Sequence, residues 1–218
     1  MDIQTAIKTR KSTRAFLPKP VPEETVRELL ETALRAPSAS NTQPWEITVI
    51  TGKVLDQIRR DNTAKVLAGT PLGKSQAYPE KFQERKVQLG KQLFTLMNIG
   101  REDREKRQEW QLRGFRFFDA PVAMILSIDR LLLGSWATVD IGNLAQTICL
   151  SALHHGLGTC IEIQGVAFQD VIRTHTGLPA SSEIILGIAL GYPDPAAREN
   201  QFVSPRTPLD EVTTLLGF

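Results

Sequence analysis

The chain has 218 residues, 41% of them hydrophobic and 23% charged, with a net charge of +2, which suits one globular unit with a sizeable core. So small and mixed a charge gives no basis for nucleic-acid binding. No apolar run approaches the roughly 20 residues of a membrane span, and Met1 to Ile7 has no signal-peptide core, so cytoplasmic placement is the expectation.

Asp2 is positioned to cap a short helix over Ile3 to Thr9, with Ile3, Ala6 and Ile7 inward. The basic cluster Arg10-Lys11-Ser12-Thr13-Arg14 follows its C-terminal end. Pro22 suits a first helical turn, and Glu23 and Glu24 suit the positive end of the helix dipole. Val26, Leu29, Leu30, Ala33 and Leu34 then trace one apolar face. Pro37 ends that helix, because a residue before proline is biased out of the helical region. Between Pro37 and Pro44 stand Ser38, Ser40, Asn41, Thr42 and Gln43, a poor core and a good rigid loop. Glu46 to Thr51 reads as a β-branched strand. Lys53 to Ala68 reads as a helix with Leu55, Ile58 and Val66 inward, and Gly69 to Gly73 as a loop.

Residues 78–118 form an excursion. Its centre, Arg101 to Arg107, alternates in sign without an apolar residue and reads as a solvated helix with i, i+4 pairs. The flanking Phe94, Leu96, Met97, Trp110, Phe115, Phe117 and Phe118 suit ordinary packing, a lid or a partner-facing surface. Val122 to Asp129 is a strand. A long helix from Trp136 to His155 ends at Gly156-Leu157-Gly158. Thr159 to Ile163 is a strand, Phe168 to His175 a helix and Glu183 to Tyr192 a strand. From Asp194 to Pro208 the chain is polar, proline-rich and extended. The order α, α, β, α, excursion, β, α, β, α, β fits a layered mixed fold and leaves strand order open.

Three clusters carry chemistry. Arg10 suits a phosphate, Ser12 a phosphate or a ring imide, and Arg14 an electron-rich ring. The hydroxyls and amides of the 37–44 loop suit sugar hydroxyls or a heteroaromatic edge. Arg206 adds a cation far along the chain. Taken singly, each has a plain structural reading as a helix end, a turn or a surface charge. No GxGxxG, GxxxxGK[ST] or GxSxG motif occurs. His154, His155 and His175 show no metal-site spacing, and Cys149 and Cys160 read as buried reduced thiols.

Taken together, these pieces resemble the FMN-dependent nitroreductase family over nearly the whole chain. The resemblance rests on Arg10 to Arg14, Pro37 to Trp45, Asp119-Ala120-Pro121-Val122, Gly156 to Cys160, Leu190-Gly191-Tyr192-Pro193 and Arg206, in that order and spacing. It is nearest to nitrobenzoate reductase-like members. The resemblance implies an α+β fold with a central, mostly antiparallel sheet flanked by helices. It implies one FMN-binding domain over residues 1–218, a helical excursion at 78–118 and a C-terminal arm at 194–218 that adds to a partner. It further implies an intertwined homodimer with FMN at the interface.

By motif, Arg10, Ser12 and Arg206 hold the phosphate and ribityl chain, helped by Lys11. Arg14 sits at the pyrimidine edge of the flavin. Pro37, Ser38, Ser40 and Asn41 line the cofactor from the partner chain, with Gln43 supporting that loop or touching the ribityl or ring. Glu162, Ile163, Gln164 and Gly165 run beside the central ring, with backbone N–H groups toward N5 and O4. Two departures stand out: Ser204 where some relatives carry a second cation, and Gln164 where some carry an acid. The implied activity is ping-pong hydride transfer from NADH or NADPH to nitroaromatics, quinones or related small acceptors, with no catalytic side chain and no metal. Two alternatives stay open: an enone or dehalogenase-like flavin reductase, and a flavin-binding protein without turnover.

Overall fold

The computed structural model describes residues 2–72 and 77–218; Gly73, where the loop from Gly69 was expected to close, lies outside them. The sheet is built from β1 (Trp45–Thr51), β2 (Val122–Asp129), β3 (Gly158–Glu162) and β4 (Ser182–Gly191). Its order is β1-β2-β4-β3, and every pairing is antiparallel. The expected mostly antiparallel α+β architecture is therefore the observed one.

β2 is buried on both faces because helices cover both, and its alternation divides the core in two. Val122, Met124 and Leu126 meet α2 (Glu23–Ala33) and α6 (Ala137–His154), through Leu29 and Ala33 of the first and Ile141, Leu144 and Ile148 of the second. Ala123 and Ile125 face the other layer. There Leu55 and Ile58 of α3 (Gly52–Leu67), Phe115 of α5 (Arg104–Phe115) and Ile172 of α7 (Gln169–Thr176) meet them.

α2 shows how local chemistry sets an element. Pro22 precedes it, Glu23 and Glu24 occupy its first turn, and Glu23 pairs with Arg27 one turn on at 2.6 Å. Val26, Leu29 and Ala33 are buried as the stripe requires, while Leu34 is the exposed C-cap residue.

Two expectations need correction. α1 (Ile3–Thr9) forms, with the Asp2 carboxylate accepting from the Thr5 N–H at 3.1 Å, but it buries nothing. Ile3 is 69% exposed and Ile7 54%. The periodicity marked an apolar face correctly but not what covers it. The charged run 101–107 is not one helix either. α4 (Glu80–Leu96) stops at Met97, Asn98 turns left-handed at φ 58°, and α5 starts at Arg104. The turn is stitched by the Gly100 N–H to Asp103 Oδ2 at 2.8 Å and by Arg107 Nε to the Gly100 carbonyl at 2.6 Å.

Phe115, Phe117 and Phe118 are core rather than lid. Phe117, Phe118 and Asp119 are all left-handed, a costly turn of roughly 1 kcal/mol or more per residue. Burial of the two rings, of order 2 kcal/mol each, offsets that cost. Arg59 also bonds the carbonyls on either side of the turn, at Arg116 and Ala120. From Asp194 to Pro208 the chain is extended apart from a turn at Pro195–Ala196 and a 3-10 turn at Arg198–Gln201.

Candidate functional site

After α1 the chain runs beside β3 as an extended segment. The Thr13 N–H donates to the Thr159 carbonyl at 2.8 Å, Ser12 bridges Thr159 in parallel, and Leu17 N–H reaches the Tyr192 carbonyl at 2.9 Å. An extended chain alternates its side chains. Arg10, Ser12 and Arg14 therefore share one face, and Lys11 and Thr13 the other. The Cys160 thiol, next to Thr159, is within the influence of both Arg14 and Ser12. Lys11 and Thr13 instead line a cavity of about 340 Å³ with Leu157, Pro193 and Asn200. The structure thus separates Lys11 from Arg10 and Ser12, and a helping role for Lys11 at the same anion has no support from its placement.

Among the described residues no carboxylate pairs with Arg10, Arg14 or Arg206. By contrast, Arg113 pairs with Glu199 at 2.6 Å and Arg116 with Asp119 at 2.9 Å. Arg10 and Arg14 are half-buried, and half-buried cations left without a protein anion are what an anionic ligand needs; Arg206 is exposed.

The loop of Pro37 to Gln43 is shaped by strain. Ser40, Asn41 and Gln43 are left-handed, at φ 50°, 55° and 47°, a conformation disfavoured for all but glycine and, less so, asparagine. Side chains from α6 hold it: Asp140 Oδ1 accepts from the Ala39 N–H at 3.1 Å, and Asn143 Nδ2 donates to the Pro37 carbonyl at 3.3 Å. Ser38 Oγ accepts from the Gln43 N–H at 3.0 Å, and the Gln43 amide donates to the Asn41 carbonyl at 3.3 Å. Ser38 and Gln43 therefore build the loop. The side chains of Ser40 and Asn41 make no hydrogen bond among the described residues and face solvent. No hydrogen bond within one chain joins this loop to Arg10, Ser12 or Arg14.

β3 delivers the fourth piece. Ile163 and Gln164 are exposed, whereas Glu162 and Gly165 are buried. The Gly165 N–H donates to Glu162 Oε2 at 2.7 Å, so this amide points inward rather than toward a ring beside the loop. Of the backbone groups expected to face a flavin, the Gly165 N–H is committed to Glu162, and the Gln164 N–H also lies toward that carboxyl. Glu162 Oε1 is buried without a partner. Burial with no neighbouring cation pushes the Glu162 carboxyl up to about 8, opposed only by the N–H groups of Gly165 and Gln164. The Gln164 amide lies directly over the backbone of Gly114 in α5.

Arg206 lies elsewhere within this chain. It lines an open groove of about 1300 Å³ between α4 and the C-terminal arm, with Gln83, Lys86 and Val87. Its Nη1 folds back onto Ser204, at 2.9 Å to the carbonyl and 2.6 Å to Oγ. Arg10, expected on the same phosphate as Arg206, does not line this groove within one chain.

Four supporting residues escaped the sequence reading: Asp140, Asn62, Asn200 and Arg113. Asn62 Nδ2 donates to the carbonyls of Phe115 and Gly165 at 3.0 and 2.8 Å. Asn200 fills all four of its hydrogen-bonding positions with the backbone of Arg14, Ala15 and Asp194. A polar residue in a polar stretch gave no signal for this. Both cysteines are free, buried and shifted up by desolvation, Cys160 to about 11.

An antiparallel sheet wrapped on both faces by helices, with Arg10, Ser12 and Arg14 on a segment beside β3, is an α+β architecture that offers cations and a hydroxyl to an anionic ligand. The profile of the nitroreductase family matches residues 7–192, and the chain belongs to that family. It is 35% identical to a 4-nitrobenzoate reductase of Pseudomonas putida over 100% of this chain and 96% of that one. It is 37% identical to a nitrobenzene nitroreductase of Ectopseudomonas oleovorans, over 98% and 96%. Among solved structures, the FMN- and NADPH-dependent nitroreductase NfnB of Sphigopyxis sp. strain HMH superposes with a TM-score of 0.94 at 28% identity, covering all of both chains. FMN-dependent NfnB of Mycobacterium smegmatis, in complex with NADPH, gives 0.88 at 31% identity over 98% and 97%.

Proposed function

We propose that the protein is an FMN-dependent NAD(P)H nitroreductase, reducing nitroaromatics, quinones or related electron-poor acceptors by a ping-pong cycle. The observation that carries this reading is the unpaired, half-buried pair Arg10 and Arg14 on one face of an extended segment, flanking the Ser12 hydroxyl, in a chain of this family. The donor set fits the cofactor: guanidinium and hydroxyl for a phosphate, hydroxyl and amide for ribityl oxygens, a cation for the pyrimidine edge.

When bound, FMN supplies the ring that takes a hydride from the nicotinamide and passes it to the acceptor. The chain's residues bind and orient. Arg10 and Ser12 hold the phosphate end, with Arg206 brought in by the C-terminal arm as two chains assemble. Arg14 places positive charge where negative charge gathers on reduction, the electrostatic stabilisation that needs no proton transfer. Ser38, Ser40 and Asn41 of the partner subunit close the site, which is why Ser40 and Asn41 have no partner of their own. The homodimer is supported by apolar surface without cover in one chain: Ile3 and Ile7 on α1, Leu131 and Leu133, and Trp136, 71% exposed. No helix among the described residues is long and apolar enough to cross a membrane, and a cytoplasmic location suits the nicotinamide reductant.

Purified protein is expected to be yellow, to release FMN on denaturation and to sediment as a dimer. Arg10→Ala is expected to weaken FMN binding at least tenfold, and Lys11→Ala less than twofold. Equal retention by both variants would show the phosphate assignment to be wrong. Reduction by NADH or NADPH followed by reoxidation with 4-nitrobenzoate tests turnover. A reduced protein that no nitroaromatic or quinone reoxidises would sink the enzyme reading.

A further inference from the structure

Arg14 is unusual in how its backbone is held. Its N–H donates to Asn200 Oδ1 at 2.8 Å, and its carbonyl accepts from Arg113 Nη2 at 2.6 Å. Neither group joins the sheet. Thr13 next to it does, through the Thr159 carbonyl, so Arg14 leaves the strand and is fixed by side chains alone.

The guanidinium of Arg113 is a bridge. Nη1 donates to Glu199 Oε1 at 2.6 Å while Nη2 holds the Arg14 carbonyl. The two acceptors lie 86 and 99 residues away in sequence. The side chains of Arg113 and Glu199 are only 22% and 12% exposed, so water competes weakly for these bonds. The Trp110 ring lies 5.5 Å from the guanidinium carbon and backs the fork. The base of the fork is also rigid. Asn62 ties the Phe115 carbonyl, at the end of α5, to α3 and to the Gly165 carbonyl beside β3.

We propose that Arg113 is a positioning residue: by spanning Glu199 and the Arg14 carbonyl, it carries the excursion helix α5 into the cofactor site and fixes where Arg14 directs its charge. This rests on the reading of Arg14 given above. A lysine has one point charge and no planar fork, so it cannot make both bonds in this geometry.

The test is a double-mutant cycle on the two-electron midpoint potential of bound FMN, with thermal melting recorded in parallel. Arg14→Ala lowers the preference for reduced over oxidised cofactor. Arg113→Met is expected to lower it in the same direction by about tenfold, which is roughly 30 mV for a two-electron couple. In the Arg14→Ala background, Arg113→Met is expected to add nothing. Arg113→Lys keeps the stem and charge and is expected to restore less than half of the shift; it also serves if the methionine variant does not fold. A merely structural role lowers the melting temperature and leaves the potential where it was. Arg113 variants with the wild-type potential, or shifts that add fully in the double variant, overturn the proposal. If Arg14→Ala itself leaves the potential unchanged, the assignment of Arg14 fails, and the role of Arg113 with it.

Discussion

Replacing Glu162 with glutamine isolates a buried charge. In the native chain the carboxyl is buried with no cation beside it, and burial raises it from 4.5 to about 8. Between those values the folded protein holds a proton that the unfolded chain has released. The stabilising contribution of Glu162 is therefore greatest below about pH 4.5 and declines as the pH rises toward 8. At 1.36 kcal/mol per unit, the decline between pH 5 and 7.5 is about 3 kcal/mol. Glu162→Gln keeps an acceptor oxygen for the Gly165 N–H and removes the titration. Its urea-unfolding free energy, followed by tryptophan fluorescence at fixed protein concentration, is expected to lack this slope. Near pH 5 the variant is the less stable protein, because two amide hydrogens replace an oxygen that already lacked a partner. The difference shrinks or reverses by pH 7.5. Asp61 and Asp170 are held below their ordinary range by His175 and Lys65. Their contribution is lost only at lower pH and is common to both proteins. Parallel stability curves for the two proteins across pH 5 to 7.5 would refute the reasoning.

Two glycines, Gly165 against Glu162 and Gly114 against Gln164, separate cheap crowding from costly crowding. A Cβ on Gly165 would stand 2.5 Å from Glu162 Oε1 and 2.6 Å from the Phe117 ring, both in packed surroundings. Gly165→Ala is expected to lose about 1–3 kcal/mol in denaturant unfolding. Gly114→Ala meets only the movable end of the exposed Gln164 side chain, so its unfolding free energy is expected within about 1 kcal/mol of wild type. Asp140→Ala strips the Ala39 N–H of its partner and relaxes a left-handed loop; a tenfold or greater rise in the FMN dissociation constant is expected, measured by fluorescence quenching. Both cysteines are buried and shifted up, so the native protein is expected to show no thiol reactive toward a disulfide reagent at pH 8, and two after denaturation.

What was legible in the sequence was local. The stripe of α2, apart from its exposed C-cap residue Leu34, carries its burial in its own periodicity, and the apolar run behind Pro121 forms the strand β2 as expected. The faces of α1 were legible as apolar, yet Ile3 and Ile7 lie on the surface of the single chain, because periodicity names a face without naming its cover. The break between α4 and α5 had a signal in Asn98 and Gly100, masked by the charge alternation that follows. The motifs placed Arg10, Ser12 and Arg14 on one segment, and extended geometry gives them one face. Lys11 fell on the opposite face for the same reason. Nothing local foretold Asn200, Arg113 or Asp140. Each acts by a side-chain bond to distant backbone, and such bonds leave no trace in spacing or composition.

The grip of Asn200 on Arg14 closes a separation of 186 residues, and that has a consequence for how the protein is made. At about 5–20 residues per second, the ribosome takes roughly 10–40 s to travel that far. For most of that interval the segment bearing Arg10, Ser12 and Arg14 waits for β3, and once β3 is made it still waits for the asparagine that will hold it. Its cations are displayed to the cell before they have an address. Completion of the ligand site is therefore among the last events of biogenesis, timed by the arrival of the C-terminal arm.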